Sequence, residues 1–313
     1  MTEQQQVAIG IDVGGSGIKA AAVDTAEGRL VSDRLRVPTP EPSTPDAVID
    51  AIARLVRRIE AAVDREGLPV GVAFPAVILD GRTMTAANID PGWVEYPARE
   101  HLERVLGRPV TLVNDADGAG LAEIRFGAGV GKRGVVLVLT LGTGVGSGLF
   151  VDGTLVPNTE LGHMEIRGRD AERRSAAATR IRRGLSWKAW AEDLDEHLNA
   201  INRILWPDLI ILGGGVSKNA DKFIPRLTCR VPVVPALLRN EAGIVGAALF
   251  VVEHPPSTGD TAGEADTAGG TATAGEAVQP VRADAPAESG EAAQSTDAAQ
   301  PGEPTTPAGA GDD

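Results

Sequence analysis

The sequence predicts an α/β protein built as two halves that face one another across a cleft. Three observations carry this. Two glycine-rich turns, each leaving an apolar strand and returning as a second one, lie about 130 residues apart, at IGIDVGGSGIK (Ile9–Lys19) and VVLVLTLGTGVGSGLF (Val135–Phe150). Strand and helix patterns alternate through the body. The strand–glycine–strand opening recurs near Val135, a weak internal duplication, and two such turns serve one ligand only if their halves face each other.

Taken in order, Val7–Asp12 and Ile18–Val23 read as a hairpin, and Arg29–Val37 as a third strand. Pro42–Val63 reads as a helix capped by Asp46, because Val48, Ile52, Leu55, Val56 and Ile59 recur at helical spacing. Val70–Phe74 is a short buried strand, Arg99–Leu106 a helix, Val110–Val113 a strand delivering NDAD, and Asp117–Phe126 a helix. The second half opens with strands at Val135–Thr140 and Ser147–Val151. Ser186–Leu205 carries an apolar stripe of Trp187, Trp190, Leu194, Leu198, Ile201 and Leu205. A strand at Leu209–Leu212 enters GGGVS, and Asn240–Val251 closes the body as an Ala/Gly-rich helix. The domain expectation is a small α/β domain over 1–113, with helix 240–253 packing back on it, and a large α/β domain over 114–239.

Residues 254–313 change character. They consist largely of Ala, Gly, Thr, Pro, Glu and Asp, with eleven carboxylates against one arginine. Such a stretch cannot bury enough apolar area to offset its ordering entropy, so it is expected to be a disordered tail. It holds most of the net charge of −13. The body is then only mildly acidic, and charge is no clue to its substrate. No apolar run reaches the ~18 residues of a membrane span, and MTEQQQ lacks the order of a signal peptide. A cytoplasmic protein with no membrane partner is expected. The single Cys229 excludes a disulfide framework and a cysteine-based zinc cluster.

The chemistry-bearing residues sit at strand ends. Successive backbone N–H groups in a glycine turn make a concave anion site. Asp12, before Val13-Gly14-Gly15, is placed to hold Mg²⁺ beside phosphates, and Ser16 and Lys19 to meet those phosphates, unless Lys19 is merely solvated. Asn114-Asp115 follows the strand VTLV. Asp115 is either a general base that accepts the proton of an attacking hydroxyl or an N-cap for the next helix. The second phosphate turn is Gly142-Thr143-Gly144, which fails the G-x-G-x-x-G spacing of a dinucleotide site. Gly213-Gly214-Gly215 opens a helix whose end can take an anion or let a nucleotide approach. Glu160, His163 and Asn88 supply the donors and acceptors that a polyol needs. Ile166–Arg183 holds seven arginines, among them Arg173, Arg174, Arg182 and Arg183. These read either as an ion-paired surface or as a track for a polyanion.

In this order, DVGGSGIK, ANIDPGW, NDAD, LGTGVGSG, ELGH and LGGGVS resemble the ROK family of sugar kinases, within the actin-like ATPase superfamily, over about Val7–Val252. The resemblance implies a two-domain actin-like ATPase (ribonuclease H-like) fold with an inter-domain cleft. It implies Asp115 as catalytic base and Asn88, Asn114, Glu160 and His163 as sugar contacts. It also implies Asp12, Gly14, Gly15, Gly142, Thr143 and Gly144 as phosphate and metal loops, and Gly213 to Gly215 as the nucleotide region. Most members follow the His of ELGH with a cysteine-rich zinc segment, and here MEIRGRDAERRSAAATRIRRG has no cysteine. That departure implies Mg²⁺ but no zinc, and it favours the branch that phosphorylates glucose at O6 from inorganic polyphosphate as well as ATP. It also leaves a sugar-contacting Glu without a clear counterpart, Glu172 being the candidate. A homodimer that binds no nucleic acid completes the expectation. The alternative is a strictly ATP-dependent hexokinase. A sugar-sensing repressor of the family would need a DNA-binding domain before the first strand, and only six residues stand there.

Overall fold

The computed structural model describes residues 6–86 and 89–255. The first half runs β1 (Val7–Gly14), β2 (Gly17–Asp24), β3 (Arg29–Leu30), β4 (Leu35–Val37), α1 (Pro45–Val63), β5 (Val70–Phe74), β6 (Ile78–Leu79), β7 (Arg82–Thr83), α2 (Ala98–Leu106), β8 (Val110–Asn114) and α3 (Asp115–Phe126). The second runs β9 (Val135–Leu141), β10 (Val145–Val151), β11 (Thr154–Val156), β12 (Glu165–Ile166), β13 (Arg169–Asp170), α4 (Glu172–Ser175), α5 (Ala177–Arg182), α6 (Trp187–Leu205), β14 (Leu209–Gly213), β15 (Val233–Pro235) and α7 (Ala242–Glu253).

Two sheets repeat one topology. The first is ordered β3-β2-β1-β5-β8, with β4 also on β2, and the second β11-β10-β9-β14-β15. Each begins with an antiparallel hairpin and adds two parallel strands beside its first strand. The β6–β7 and β12–β13 hairpins stand apart from both.

The strand period places the core. Ile9, Ile11 and Val13 of β1 face the apolar stripe of α1, with Phe74 and Trp93 in the same cluster. The alternate residues of β1, Ala8 and Gly10, face α7 instead. That face is small for a reason. A Cβ on Gly10 would lie 1.8 Å from the Ile244 carbonyl oxygen, and one on Gly246 would lie 1.7 Å from that of Gly118 in α3. Backbone-to-backbone approach lets α3 and α7 fill the space between the sheets with few large side chains. On the outer face of the second sheet, Trp190, Leu194, Leu198 and Ile201 of α6 pack on Leu137, Leu139, Ile210 and Leu212.

Local differences from the sequence reading have local causes. The third strand divides into β3 and β4, both paired to β2, around Ser32, whose Oγ accepts from the Ala22 N–H at 3.0 Å. Asp46 does not cap α1. Thr44 holds the N-cap position and Pro45, which has no N–H to satisfy, begins the helix. Residues 239–241 form a 3₁₀ turn before α7. Gly215–Lys222 is a 3₁₀ segment rather than an α-helix. Of the tail, residues 256–313 lie outside the described residues. Among the described residues, no helix is long and apolar enough to cross a membrane.

Candidate active site

The carboxyl ends of β1, β8, β9 and β14 converge on one cavity of about 760 Å³. Its lining includes Asp12, Gly14, Gly15, Ser16, Lys19, Asn114, Asp115, Gly142, Thr143, Gly144, Glu160, His163 and Gly213 to Gly215. Residues scattered over some 200 positions of sequence are therefore brought to one place. Asn88 lies outside the described residues.

Asp12 and Lys19 are opposite one another in the β1–β2 register, and Lys19 Nζ donates to Asp12 Oδ2 at 2.7 Å. Lys19 is thus engaged rather than solvated. Asn114 closes β8 and caps α3: its Oδ1 accepts from the N–H groups of Ala116 at 2.9 Å and Asp117 at 3.2 Å. Its Nδ2 donates to the Ala76 carbonyl at 3.1 Å, leaving one amide proton for any further partner. The capping role is therefore taken by Asn114, and Asp115 stands at the first helical position with its side chain turned to the cavity.

Asp115 lies in a strongly perturbing place. Burial, reinforced by the charge of Asp12, raises its carboxyl to about 7, against the opposing effect of the Ala116 N–H. Burial raises Asp117 to about 7 as well. Glu160 is raised by burial, opposed by His163 and helped by Glu172. The cavity therefore concentrates carboxylates with little positive charge to compensate them. Asp12 and Asp115 offer hard oxygen donors beside the glycine turns, a set that suits Mg²⁺ rather than a thiophilic metal.

The second sheet contributes backbone. The β9–β10 turn is closed by Gly142 N–H to Gly144 O at 3.0 Å, and Gly142 O accepts from the Ala178 N–H at 3.0 Å. Val145 N–H donates to Glu172 Oε2 at 3.0 Å. Gly214, at φ +81°, brings the second glycine turn so close that a Cβ there would lie 2.4 Å from Leu141 O. The two glycine turns of this sheet are thus packed against each other.

Asp170, His197 and Arg239 gain importance that their sequence context did not show, and Glu172, already a candidate, is placed at the site. Glu172 lines the cavity. Together with His163 and Asp170 it also forms a group whose ligand atoms lie within 4.8 Å of one another. Counting cysteines alone therefore overlooks three candidate metal ligands. His163 itself is half exposed, 3.7 Å from Glu160 and 3.6 Å from Asp170. Buried His197, whose pKa is lowered by desolvation, joins Leu161 O at 3.0 Å to Ser175 Oγ at 2.9 Å beneath the Glu160–His163 turn. Arg239 is the one arginine lining the cavity among the described residues. The residues before it are held by Glu123, which accepts from the N–H groups of Leu237 and Leu238 at 3.1 and 2.7 Å. No hydrophobic period could have marked any of these.

The arginine-rich stretch lies elsewhere. Arg173, Arg174, Arg182 and Arg183 do not line the cavity. Arg174 pairs with Asp193 and with Glu196 at 2.6 Å, and Arg183 with Asp193 at 3.0 Å. Arg182 donates to Thr179 Oγ1 at 2.9 Å, and Arg173 approaches Asp170 at 3.9 Å. Carboxylates on α6 satisfy the two best-placed guanidinium groups, so the ion-paired surface describes this stretch better than a free track.

Residues 8–180 match the model of the ROK family. The chain is 48% identical over 249 residues to the polyphosphate glucokinase of Mycobacterium tuberculosis (strain CDC 1551 / Oshkosh), covering 79% of this chain and 92% of that protein. It is 44% identical over 249 residues to the polyphosphate glucokinase of Mycobacterium leprae, covering 79% and 75%. The crystal structure of inorganic polyphosphate/ATP-glucomannokinase from Arthrobacter sp. strain KM superposes with a TM-score of 0.76 at 49% identity, over 79% of this chain and 98% of that one. A ROK family glucokinase from Streptomyces griseus, solved with glucose and AMPPNP, gives 0.67 at 26% identity, over 77% and 98%.

Proposed function

The chain belongs to the ROK family, and from that premise we propose that it is a polyphosphate–glucose phosphotransferase that also accepts ATP. Its fold is the two-domain actin-like ATPase fold of the ROK sugar kinases. In this reading 1–113 and 114–239 are its small and large domains, and α7 packs back on the small one. The observation that carries the function is the placing of Asp115 in the same cavity as two mutually packed glycine turns, in a chain nearly half identical to polyphosphate glucokinases.

Glucose lies against Glu160, His163, Asn114 and Asn88, with its 6-hydroxyl at Asp115. The Asp115 carboxylate takes the hydroxyl proton as the sugar oxygen bonds to the terminal phosphorus of the donor. The bond from that phosphorus to the bridging oxygen breaks, and the donor leaves one phosphate shorter. Backbone N–H groups of the Gly14–Gly15 turn and of Thr143 and Gly144 hold the phosphoryl oxygens, while Gly213–Gly215 borders the rest of the donor. Asp12 would hold Mg²⁺, which would neutralise charge on the phosphates. Beyond the transferred group, Arg239 is the cation placed to meet a polyanion, with exposed Arg173 and Arg182 farther out. The same reading includes a homodimer in the cytoplasm.

The test is formation of glucose 6-phosphate followed with long-chain polyphosphate and with ATP in parallel. Turnover with both is expected. Turnover with ATP alone would reduce the reading to an ATP-dependent hexokinase, and turnover with neither would overturn it.

A further inference from the structure

Asn158 lies two residues before Glu160 and outside every motif above. Its backbone is left-handed, at φ +58°, a conformation that asparagine tolerates better than most residues. Its side-chain amide reaches across 80 positions of sequence to one residue of the other half. Asn158 Nδ2 donates to Ile78 O at 2.9 Å, and Ile78 N–H donates to Asn158 Oδ1 at 2.9 Å. A single side chain thus makes both bonds that a neighbouring strand would make to β6. The residue is itself anchored, since its N–H donates to Asp117 Oδ2 at 2.8 Å.

The two segments it joins both line the cavity. On one side, Pro75, Ala76, Val77, Thr85 and Ala86 line it. Asn114 holds this segment at Ala76, and Thr85 Oγ1 accepts from the Val77 N–H at 3.0 Å. On the other side stand Glu160 and His163. Thr159 is tied to β10 through Ser147, with its Oγ1 donating to Ser147 O at 3.0 Å. Each segment is therefore braced near the cavity, and the Asn158 side chain, itself held to α3 through Asp117, ties the two together.

We propose that Asn158 is a positioning residue for the acceptor sugar, fixing the distance between the Pro75–Ala86 wall and the Glu160–His163 wall. This rests on the reading of the cavity as a glucose site. The glycine turns of β9 and β14 are held by other contacts, the close packing of Gly214 on Leu141 and the Ala178 N–H bond to Gly142 O, so loss of the clasp should act on the acceptor side first.

The test compares Asn158→Gly and Asn158→Asp with the wild type, as full-length protein. Both replacements accept the left-handed backbone. Glycine removes both bonds, whereas aspartate keeps an acceptor for the Ile78 N–H and loses the donor. KM for glucose at saturating donor should rise about tenfold or more in the glycine variant, the effect of losing roughly one net hydrogen bond or more, and at least as much in the aspartate variant, whose second oxygen would face the Ile78 carbonyl acceptor to acceptor. KM for polyphosphate at saturating glucose should stay within about twofold of wild type. A merely structural role would lower thermal stability and raise both KM values together, and that result overturns the proposal. Unshifted KM for glucose in an active, folded variant overturns it equally. A wild type that does not phosphorylate glucose removes the function reading and this inference with it, whereas an active wild type beside unshifted variants removes the clasp alone.

Discussion

At the end of β1 and β8 the chain puts carboxylates into the cavity. At the end of β9 and β14 it puts glycine turns and no carboxylate. The sheets repeat one topology, yet Asp12 and Asp115 come from the first while Gly142–Gly144 and Gly213–Gly215 come from the second. Duplication of a fold therefore did not duplicate its chemistry. A hairpin end is a neutral scaffold: a carboxylate before the turn makes it a site for protons and cations, and glycine alone makes it a site for anions. Phosphoryl transfer needs one of each, facing.

The comparison breaks most sharply at Asp115. If the first sheet supplies the reacting side chains, Asp115→Asn keeps the shape of the cavity and should lower kcat by about 10²–10⁴-fold, the usual range for a general base. Glucose binding, measured by calorimetry without donor, should be little changed. A variant that turns over at near the wild-type rate would mean that the chemistry does not rest on this carboxylate.

The second sheet is tested through Gly214. Alanine there must hold φ near +81° and place its Cβ 2.4 Å from Leu141 O, so the two glycine turns must separate. KM for polyphosphate and for ATP should both rise, by about tenfold if the loss equals one hydrogen bond of ~1.4 kcal/mol. KM for glucose should not move. Should it rise as much as the donor values, the glycine turns of β9 and β14 do not serve the donor alone.

These two tests also mark what the sequence made legible. Strand ends were readable because apolar runs stop at Asp12, Asn114, Leu141 and Gly213 and the polar or glycine residues there have few other uses. The core faces of α1 and α6 were readable from their period. The Asn158–Ile78 clasp was not, because a contact between residues 80 apart in an otherwise polar loop has no local signature. Arg239 was not, because one cation after a short strand reads as solvent-facing. The arginine-rich stretch stayed open between two readings because its partners, Asp193 and Glu196, sit on α6, and only the fold brings them together.

A smaller effect should appear in the pH dependence. Asp115 works as a base only when ionised, and burial together with the Asp12 charge holds its carboxyl near 7. The rate kcat/KM for glucose should therefore fall on the acid side with an apparent pKa close to 7, far above the ~3.9 of a free aspartate. An acid limb below about 5 would mean that the carboxyl is not held in the state this environment demands. Asp117 is held near 7 too and raises Asp115 in turn, so the limb belongs formally to the pair. Asp117→Asn separates them: the limb should persist, moved slightly to lower pH by removal of a neighbouring negative charge.

The same substitution yields the smallest predicted effect, one on stability alone. Asp117 is almost fully buried. Its Oδ2 accepts from the Asn158 N–H, while Oδ1 has no hydrogen-bond partner among the described residues. Burial therefore raises its folded pKa above the unfolded value. Between about 4 and 7 the unfolded chain gives up this proton more readily than the folded one, so the stability present at low pH is lost as pH rises through that window. Asparagine keeps an acceptor for Asn158 and cannot ionise. Asp117→Asn should accordingly raise Tm by a few degrees at pH 8, at about 2–4 °C per kcal/mol for a folded body of this size, and the gain should shrink toward zero near pH 4. A change in Tm that is the same at both pH values would show that the folded state does not raise the Asp117 pKa above its unfolded value.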